Sequence, residues 1–188
     1  MTIDGVLKKI AEAEKGFHKE ITKSLENAKG FIKTELIQGQ LYAGVTGDLI
    51  ELTPSYLDDP FFVEMTDNPD RTSQENRNAA IRYAEWWRDW KLRITPPSPN
   101  PELNLPARDV DTPNLVIIGT FYDSIYVRIT ERAIEIGTTG VDFGIEIEHK
   151  YGSEIFKLSP NAVKWLVFEH VKPDLEGFFF KLGFKQGV

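Results

Sequence analysis

The clearest pattern along the chain is an alternation of apolar and polar side chains in two runs, residues 125–129 and 134–136. A period of two places successive side chains on opposite faces of a strand, so each run predicts a half-buried β-strand. Glu131 and Arg132 supply a polar turn between the runs, and the two runs together predict an antiparallel hairpin. The turn has no Asn-Gly or Asp-Gly sequence, so the pattern leaves the register open.

Two flanking segments predict further strands. Residues 115–118 form an unbroken apolar run, which is typical of a strand buried on both faces. Ile145 and Ile147 alternate with Glu146 and Glu148, which indicates one more strand. The expected product of these segments is a small antiparallel sheet.

Apolar residues recur three or four positions apart through residues 3–36, which predicts a long helix with one apolar stripe. Gly16 and Gly30 are the positions at which this helix can divide in two. The stripe is longer than a small sheet can cover, so we expect part of it to pack on a neighbouring subunit, with packing on its own domain as the alternative. The stripe residues expected at that contact are Leu7, Ile10, Phe17 and Ile21.

Glycine and proline punctuate residues 38–73, which predicts a segment dominated by loops. Residues 52–62 are nevertheless more apolar than an ordinary surface loop, so we expect them to pack on the body of the protein or on a partner. Asp58 and Asp59 precede a proline, a position that favours a turn or a helix cap over a cation site. The residues of this segment expected at a subunit contact are Leu52, Tyr56, Phe61 and Phe62.

Residues 76–93 have helical spacing and contain Trp86, Trp87 and Trp90 within five residues. Tryptophans clustered on one helix favour anchors in a core or an interface, and a carbohydrate-stacking platform is the alternative. Six prolines in residues 94–114 then predict an extended, stiff connector that can dock on another subunit.

The last helix has clear start and stop signals. Ser159 followed by Pro160 predicts an N-cap and the first helical position, and Gly183 marks the end of the apolar stripe. Pro173 is a position at which this helix can be interrupted. His170 lies within the stripe and is expected to be a buried or partner-facing histidine rather than a ligand.

The predicted fold class is α+β, with helices packed on a small antiparallel sheet. The 188 residues divide into an N-terminal helical arm, residues 1–37, and a body, residues 38–188, that includes the tryptophan helix and the proline connector. The chain has no apolar run near the roughly 20 residues that span a bilayer and no apolar secretory signal, so we expect cytoplasmic synthesis. A net charge of −7 argues against a surface that grips nucleic-acid backbone throughout.

Candidate catalytic chemistry is sparse. The three histidines lie on separate predicted elements without metal-ligand spacing, and there are no cysteines and no Gly-x-Ser-x-Gly elbow. We therefore predict no enzymatic activity, no cofactor and no metal site. Two carboxylates brought together from distant loops would leave no sequence signature, so a hydrolase stays open as an alternative.

Six short motifs follow one another along the chain. They are Thr53-Pro54-Ser55, Gly119-Thr120-Phe121, Ser124-Ile125, Val127-x-Ile129, Ile134-x-Ile136-Gly137-Thr138 and Ile147-Glu148-His149-Lys150-Tyr151-Gly152. Together with the long N-terminal helix and the C-terminal helix, they resemble the tail-completion and virion-morphogenesis family of tailed bacteriophages. The tryptophan-rich helix and the long proline connector depart from that pattern.

The resemblance implies a non-enzymatic structural protein of the virion, located at the head–tail junction or in the tail. Such a subunit forms a hexameric or dodecameric ring around the DNA exit channel and contacts portal, connector and tail proteins, with no membrane partner. DNA passes without sequence recognition, and an acidic channel lets it slide. The alternatives are a glycan-binding module that uses the tryptophan helix and a hydrolase of the bacterial cell wall.

Overall fold

Helices pack around a single hairpin in the computed structural model, which describes residues 3–116, 118–139 and 142–184. The α-helices, in chain order, are α1 (Ile3–Asn27), α2 (Lys29–Phe31), α3 (Gln38–Tyr42), α4 (Pro60–Thr66), α5 (Ser73–Ile94), α6 (Thr120–Ser124), α7 (Asp142–Tyr151), α8 (Pro160–Leu166) and α9 (Lys172–Lys181). π-helical turns at Ile32–Ile37 and Val167–Val171 join α2 to α3 and α8 to α9, and a 3-10 turn spans Ser153–Phe156. The predicted α+β class is confirmed.

The predicted hairpin is confirmed as β1 (Ile125–Ile129) and β2 (Ile134–Thr138), which pair antiparallel with Val127 opposite Ile136. Thr130 explains how the turn closes without an Asn-Gly sequence. Its backbone N–H donates to the carbonyl of Ala133 at 2.9 Å, and its hydroxyl accepts from the N–H of Ala133 at 3.0 Å. The side chain of Thr130 therefore stabilises the turn in place of an Asn-Gly or Asp-Gly dipeptide.

The two predicted flanking strands are wrong. Around residues 115–118, Leu115 has a left-handed φ of 56° and Ile118 is 86% exposed, so this apolar run is an irregular loop, while Ile117 lies outside the described residues. Residues 145–148 belong to α7. Glu146 and Glu148 therefore share no strand face. An alternation of four residues is too short to separate a strand from a helix, and tertiary packing decides.

The long N-terminal helix is confirmed as α1, which runs unbroken through Gly16 and ends at Asn27, shortly before Gly30. Gly16 is required by packing, because a Cβ there would lie 2.6 Å from the ring of Phe178 on α9. Ile32 and Leu36, which fall in the predicted arm, are fully buried in the main core with Ile129 and Leu166. Residues 28–37 thus belong structurally to the body.

Residues 38–73 contain more helix than predicted, namely α3 and α4. Asp59 caps α4 by accepting from the N–H of Phe61, with Pro60 in the first helical position, so the predicted cap is confirmed. Gln40, fully buried on α3, accepts from the N–H of Ser159 at 2.8 Å and donates to the carbonyl of Lys157. This side chain ties α3 to the start of α8.

The helix predicted over residues 76–93 is confirmed as α5, which begins with a capping box between Thr72 and Glu75. The proline connector is not a free arm. Leu103 and Leu105 are buried in the main core, and Asn100 and Leu105 exchange two backbone hydrogen bonds of 2.9 Å. The connector therefore folds back on its own chain, because its two leucines supply core contacts.

The start and stop signals of the last helix are confirmed. Ser159 accepts from the N–H of Ala162, and Gly183 adopts a φ of 78° beyond the end of α9. The chain remains helical through Pro173. The π-helical turn Val167–Val171 ends two residues before this proline, in keeping with the wider hydrogen-bonding pattern needed where a proline removes an N–H donor.

Candidate functional site

The N-terminal half of α1 presents predicted contact residues to solvent: Leu7 is 59% exposed and Ile10 is 50% exposed. Phe17 and Ile21 are half-buried, because the second half of α1 packs on the chain itself. The ring of Phe17 lies 6.3 Å from that of Phe179 on α9. Leu7 and Ile10 are therefore exposed, whereas Phe17 and Ile21 are partly buried by contacts within the chain.

The predicted contact residues of the 52–62 segment also divide. Leu52, Tyr56 and Phe62 are buried within the chain, whereas Phe61 is 43% exposed. Phe62 packs with Ala80 and other α5 residues in a small second core between α4 and α5. Only Phe61 among these four offers substantial surface to a partner.

The three tryptophans of α5 lie at the edge of that second core rather than inside it. Trp86 is 54% exposed, and Trp87 and Trp90 are half-buried with their ring centroids 5.1 Å apart. Trp86 stacks on Tyr83 at 6.0 Å. The cluster therefore extends from the small core to the surface.

The three histidines lie on separate elements: α1, α7 and the π-helical turn Val167–Val171. His18 and His149 are exposed, and the ring of His170 packs against that of Phe31 with centroids 4.5 Å apart. Within residues 3–116, 118–139 and 142–184, no three His, Cys, Asp or Glu side chains are grouped to hold a metal ion. Among the described residues, every helix is either too short or too polar to span a lipid bilayer.

One cavity combines apolar walls with buried charge. It has a volume of about 260 Å³ and lies among α4, α5, α7 and the irregular segment around residue 115. We call it the Lys91 cavity. Its apolar lining is chiefly aromatic and includes Tyr56, Phe61, Phe62, Trp87, Leu115 and Tyr151.

Lys91 lines this cavity from α5 and is only 2% exposed, yet its Nζ has no hydrogen-bond partner. Arg108, which is 6% exposed, donates to the backbone carbonyls of Thr95 and Thr112 at 2.6 and 2.9 Å, and its Nε has no partner. Neither cation takes part in an ion pair with any described residue. Two buried positive charges thus lie near each other without a carboxylate.

A third donor in this region is also unused. Asn114 is fully buried, its carbonyl accepts from the hydroxyl of Tyr122 at 2.7 Å, and its side-chain Nδ2 has no partner. Lys150, by contrast, pairs with Asp59 across the edge of the cavity. The region therefore contains buried nitrogen donors on Lys91, Arg108 and Asn114 that have no partner, and the buried hydroxyl of Tyr56 has none either.

Burial, and to a smaller extent the positive charge of Arg108, lowers the pKa of Lys91 to about 8. Burial raises the pKa of Tyr56 to about 12, against the opposing effect of the same arginine. The pKa of Tyr151 is also raised, mainly by burial and further by the negative charge of Asp59. These directions agree with a poorly solvated site.

None of the site residues predicted from the sequence identifies the Lys91 cavity. The signal was present in α5, where Ala80, Ala84, Trp87 and Lys91 follow helical spacing and form the face that packs inward. A lysine in line with such a stripe is unusual, because lysine is rarely buried without a partner. The other walls come from distant segments and could not be assigned from spacing.

Comparison of the chain with known protein families, with curated proteins and with solved structures found no match.

Proposed function

We propose that this protein is a structural subunit of a tailed-bacteriophage virion that assembles with copies of itself into a ring at the head–tail junction. The observation that carries the proposal is the uncovered apolar surface at the start of α1. We call this surface the N-terminal stripe, and it consists of Ile3, Val6, Leu7 and Ile10.

The N-terminal stripe continues the line of residues with which α1 packs on its own chain. Ala13 and Ser24 are the buried residues of α1, and both follow the stripe residues at helical spacing. Between Ile3 and Ile10 the helix continues the same apolar pattern, but no other part of the described chain buries these side chains. Full burial of one leucine or isoleucine is worth about 1.5–3 kcal/mol, so covering four such residues is a substantial drive for association.

A second exposed apolar surface lies elsewhere on the chain. We call it the α4–α5 surface, and it consists of Phe61 and Met65, one turn apart on α4, and Trp86 on α5, each more than two-fifths exposed. Helices α4 and α5 pack on each other, whereas α1 packs on α9. The two surfaces therefore belong to different parts of the fold.

Two different apolar surfaces on one chain favour head-to-tail association. When the stripe of one copy covers the α4–α5 surface of the next, every copy uses both surfaces, and the series closes into a ring if the rotation permits. A second copy is the occupant we propose, because α1 carries lysine and glutamate in nearly equal number around its stripe and so presents no single charge that would repel an identical chain.

The bacteriophage context comes from the resemblance of the hairpin and its flanks to the tail-completion and virion-morphogenesis family. The hairpin of that pattern is present as β1 and β2, which supports the proposal. The net charge of −7 suits a channel through which DNA slides, since like charges repel at short range. Portal, connector and tail proteins are the partners we propose, and no catalytic role is assigned.

Substitution in the N-terminal stripe tests the proposal. Leu7→Glu combined with Ile10→Glu is expected to abolish self-association while leaving the fold intact, because both side chains are half or more exposed in the single chain. Light scattering coupled to gel filtration measures the mass, and circular dichroism checks the fold. Lys8→Glu lies on the opposite face of the same exposed helix and changes the charge by the same two units as the double variant, so it is the matched control, expected to assemble like the wild type. A double variant that assembles normally contradicts the proposed interface.

A further inference from the structure

We propose that the Lys91 cavity is a binding site for a small organic acid, an aromatic ring that carries one carboxylate. The site does not depend on the ring assembly proposed above. It is built from a single chain, and of its lining residues only Phe61 also belongs to the α4–α5 surface.

The unpaired amine of Lys91 carries this inference. Lys91 lines the cavity and is only 2% exposed, and a buried ammonium without a partner is costly because water no longer solvates it. Arg108 and Asn114 do not line the cavity, so Lys91 Nζ is the donor that a ligand would meet, and no carboxylate pairs with Lys91 within the described residues. An anionic acceptor in the cavity would supply what the chain itself does not.

The residues that line the cavity indicate the size and polarity of the part of the ligand that bears the carboxylate. Tyr56, Phe62, Trp87 and Tyr151 give the cavity aromatic walls, which favour an aromatic or other apolar body. The volume of about 260 Å³ is below the roughly 300–1,000 Å³ of pockets for drug-sized ligands, so a single ring is the size expected. A phosphate would bring several further oxygens against apolar walls, whereas a carboxylate brings two.

The charge arrangement also favours a monoanion. Lys150 is already neutralised by Asp59 at the cavity edge, so Lys91 is the free cation of the lining within the described chain. Arg108, held by backbone carbonyls, adds positive potential at Lys91 without being paired to a carboxylate. A neutral ring of the same shape would gain the aromatic contacts and would leave Lys91 unpaired.

The experiment compares para-fluorophenylacetate with its neutral amide, para-fluorophenylacetamide, by fluorine NMR titration of the full chain. The two probes share a ring and differ in charge. The acid is expected to bind about tenfold or more tightly than the amide, with a dissociation constant on the order of 1 mM. Lys91→Met keeps the side-chain length and removes the charge, so it is expected to abolish the preference for the acid.

Two further variants locate the effect. Lys164→Met, an exposed lysine on α8, is the matched control and is expected to keep the full acid preference. Ile147→Trp places a large ring in the cavity wall on α7 and is expected to weaken binding of both probes, which decides the location even if Lys91→Met does not fold. Equal affinity for acid and amide, binding of neither probe, or an acid preference that survives Lys91→Met would overturn the proposal.

Discussion

At the residue scale, Lys91 is a charged side chain buried in apolar surroundings without a partner of opposite charge. It extends an otherwise apolar face of α5, and Arg108 places a second positive charge nearby instead of a carboxylate. An ammonium in such a place is tolerated only because the rest of the fold is stable enough to hold it. Residues of this kind are more often retained for binding than for stability.

Removal of this charge is therefore expected to stabilise the free protein. Lys91→Met should raise the free energy of unfolding at neutral pH by about 3 kcal/mol, the cost implied by a pKa that falls from 10.5 to about 8. Thermal or denaturant unfolding measures the change. Lys164→Met, made at an exposed position, should leave stability within about 0.5 kcal/mol, and a destabilised Lys91→Met would contradict this description of the site.

The same lysine predicts a pH dependence of stability. Between about pH 8 and pH 10.5 the folded protein holds Lys91 neutral while the unfolded chain still binds the proton, so stability should rise with pH in this window. Tyr56 works in the opposite direction above pH 10, because its pKa is raised by folding. The stability difference between wild type and Lys91→Met removes the tyrosine contribution, and it should shrink steadily from pH 8 to pH 10. A constant difference would show that Lys91 titrates normally.

At the element scale, close contact between α1 and α9 depends on a glycine. Gly16 has the ring of Phe178 where a side chain would begin, whereas Gly30 has open space within 4 Å of its Cβ position. These two helical glycines therefore form a natural pair for comparison, since alanine is favoured over glycine at both by helix propensity alone.

Gly30→Ala is expected to raise the free energy of unfolding by about 0.5–1 kcal/mol, because it removes backbone freedom from the unfolded chain. Gly16→Ala is expected to lower it by about 1–3 kcal/mol, because the new methyl overlaps Phe178 and the α1–α9 contact must open. Urea unfolding of both variants measures the difference. Equal stabilisation would mean that α1 is not held against α9 as described.

Element patterns predicted the parts of the fold in which a period runs long enough. Helices α1 and α5, the hairpin and the Ser159 cap follow from spacing and capping chemistry. The two hairpin runs support each other across a short polar turn, whereas residues 115–118 and 145–148 are isolated runs of four, and tertiary contacts made them a loop and a helix. The prediction of an extended connector was wrong for another reason. Proline density indicates backbone stiffness, whereas the burial of Leu103 and Leu105 depends on residues distant in sequence.

The predictability of the candidate sites follows the same division. The exposed stripe residues Leu7 and Ile10 were accessible to sequence reasoning, because an amphipathic period longer than its cover is visible in one helix. The Lys91 cavity was not, because its walls come from four separate segments and its defining property is the absence of an acceptor for Lys91 within the described fold. A buried donor without a partner becomes visible only when distant residues are brought together.

At the scale of the whole molecule, the distribution of apolar surface sets the expected behaviour. The main core is formed within one chain, and the connector contributes Leu103 and Leu105 to it. Apolar side chains are left exposed at the N-terminal stripe and the α4–α5 surface, and at further positions that include Ile50, Ile118 and Phe168. Large exposed apolar surfaces on a folded chain mark sites of association, and we propose that an assembly covers the two named surfaces.

The mass of the purified wild-type protein, measured by light scattering across a range of concentrations, tests this central claim most directly. The account predicts one discrete closed species that contains six or twelve copies of the 21.4 kDa chain, seen either as the total mass of the protein alone or as the mass that it adds to portal and tail partners. A mass that remains 21.4 kDa at every concentration and with those partners present would contradict it.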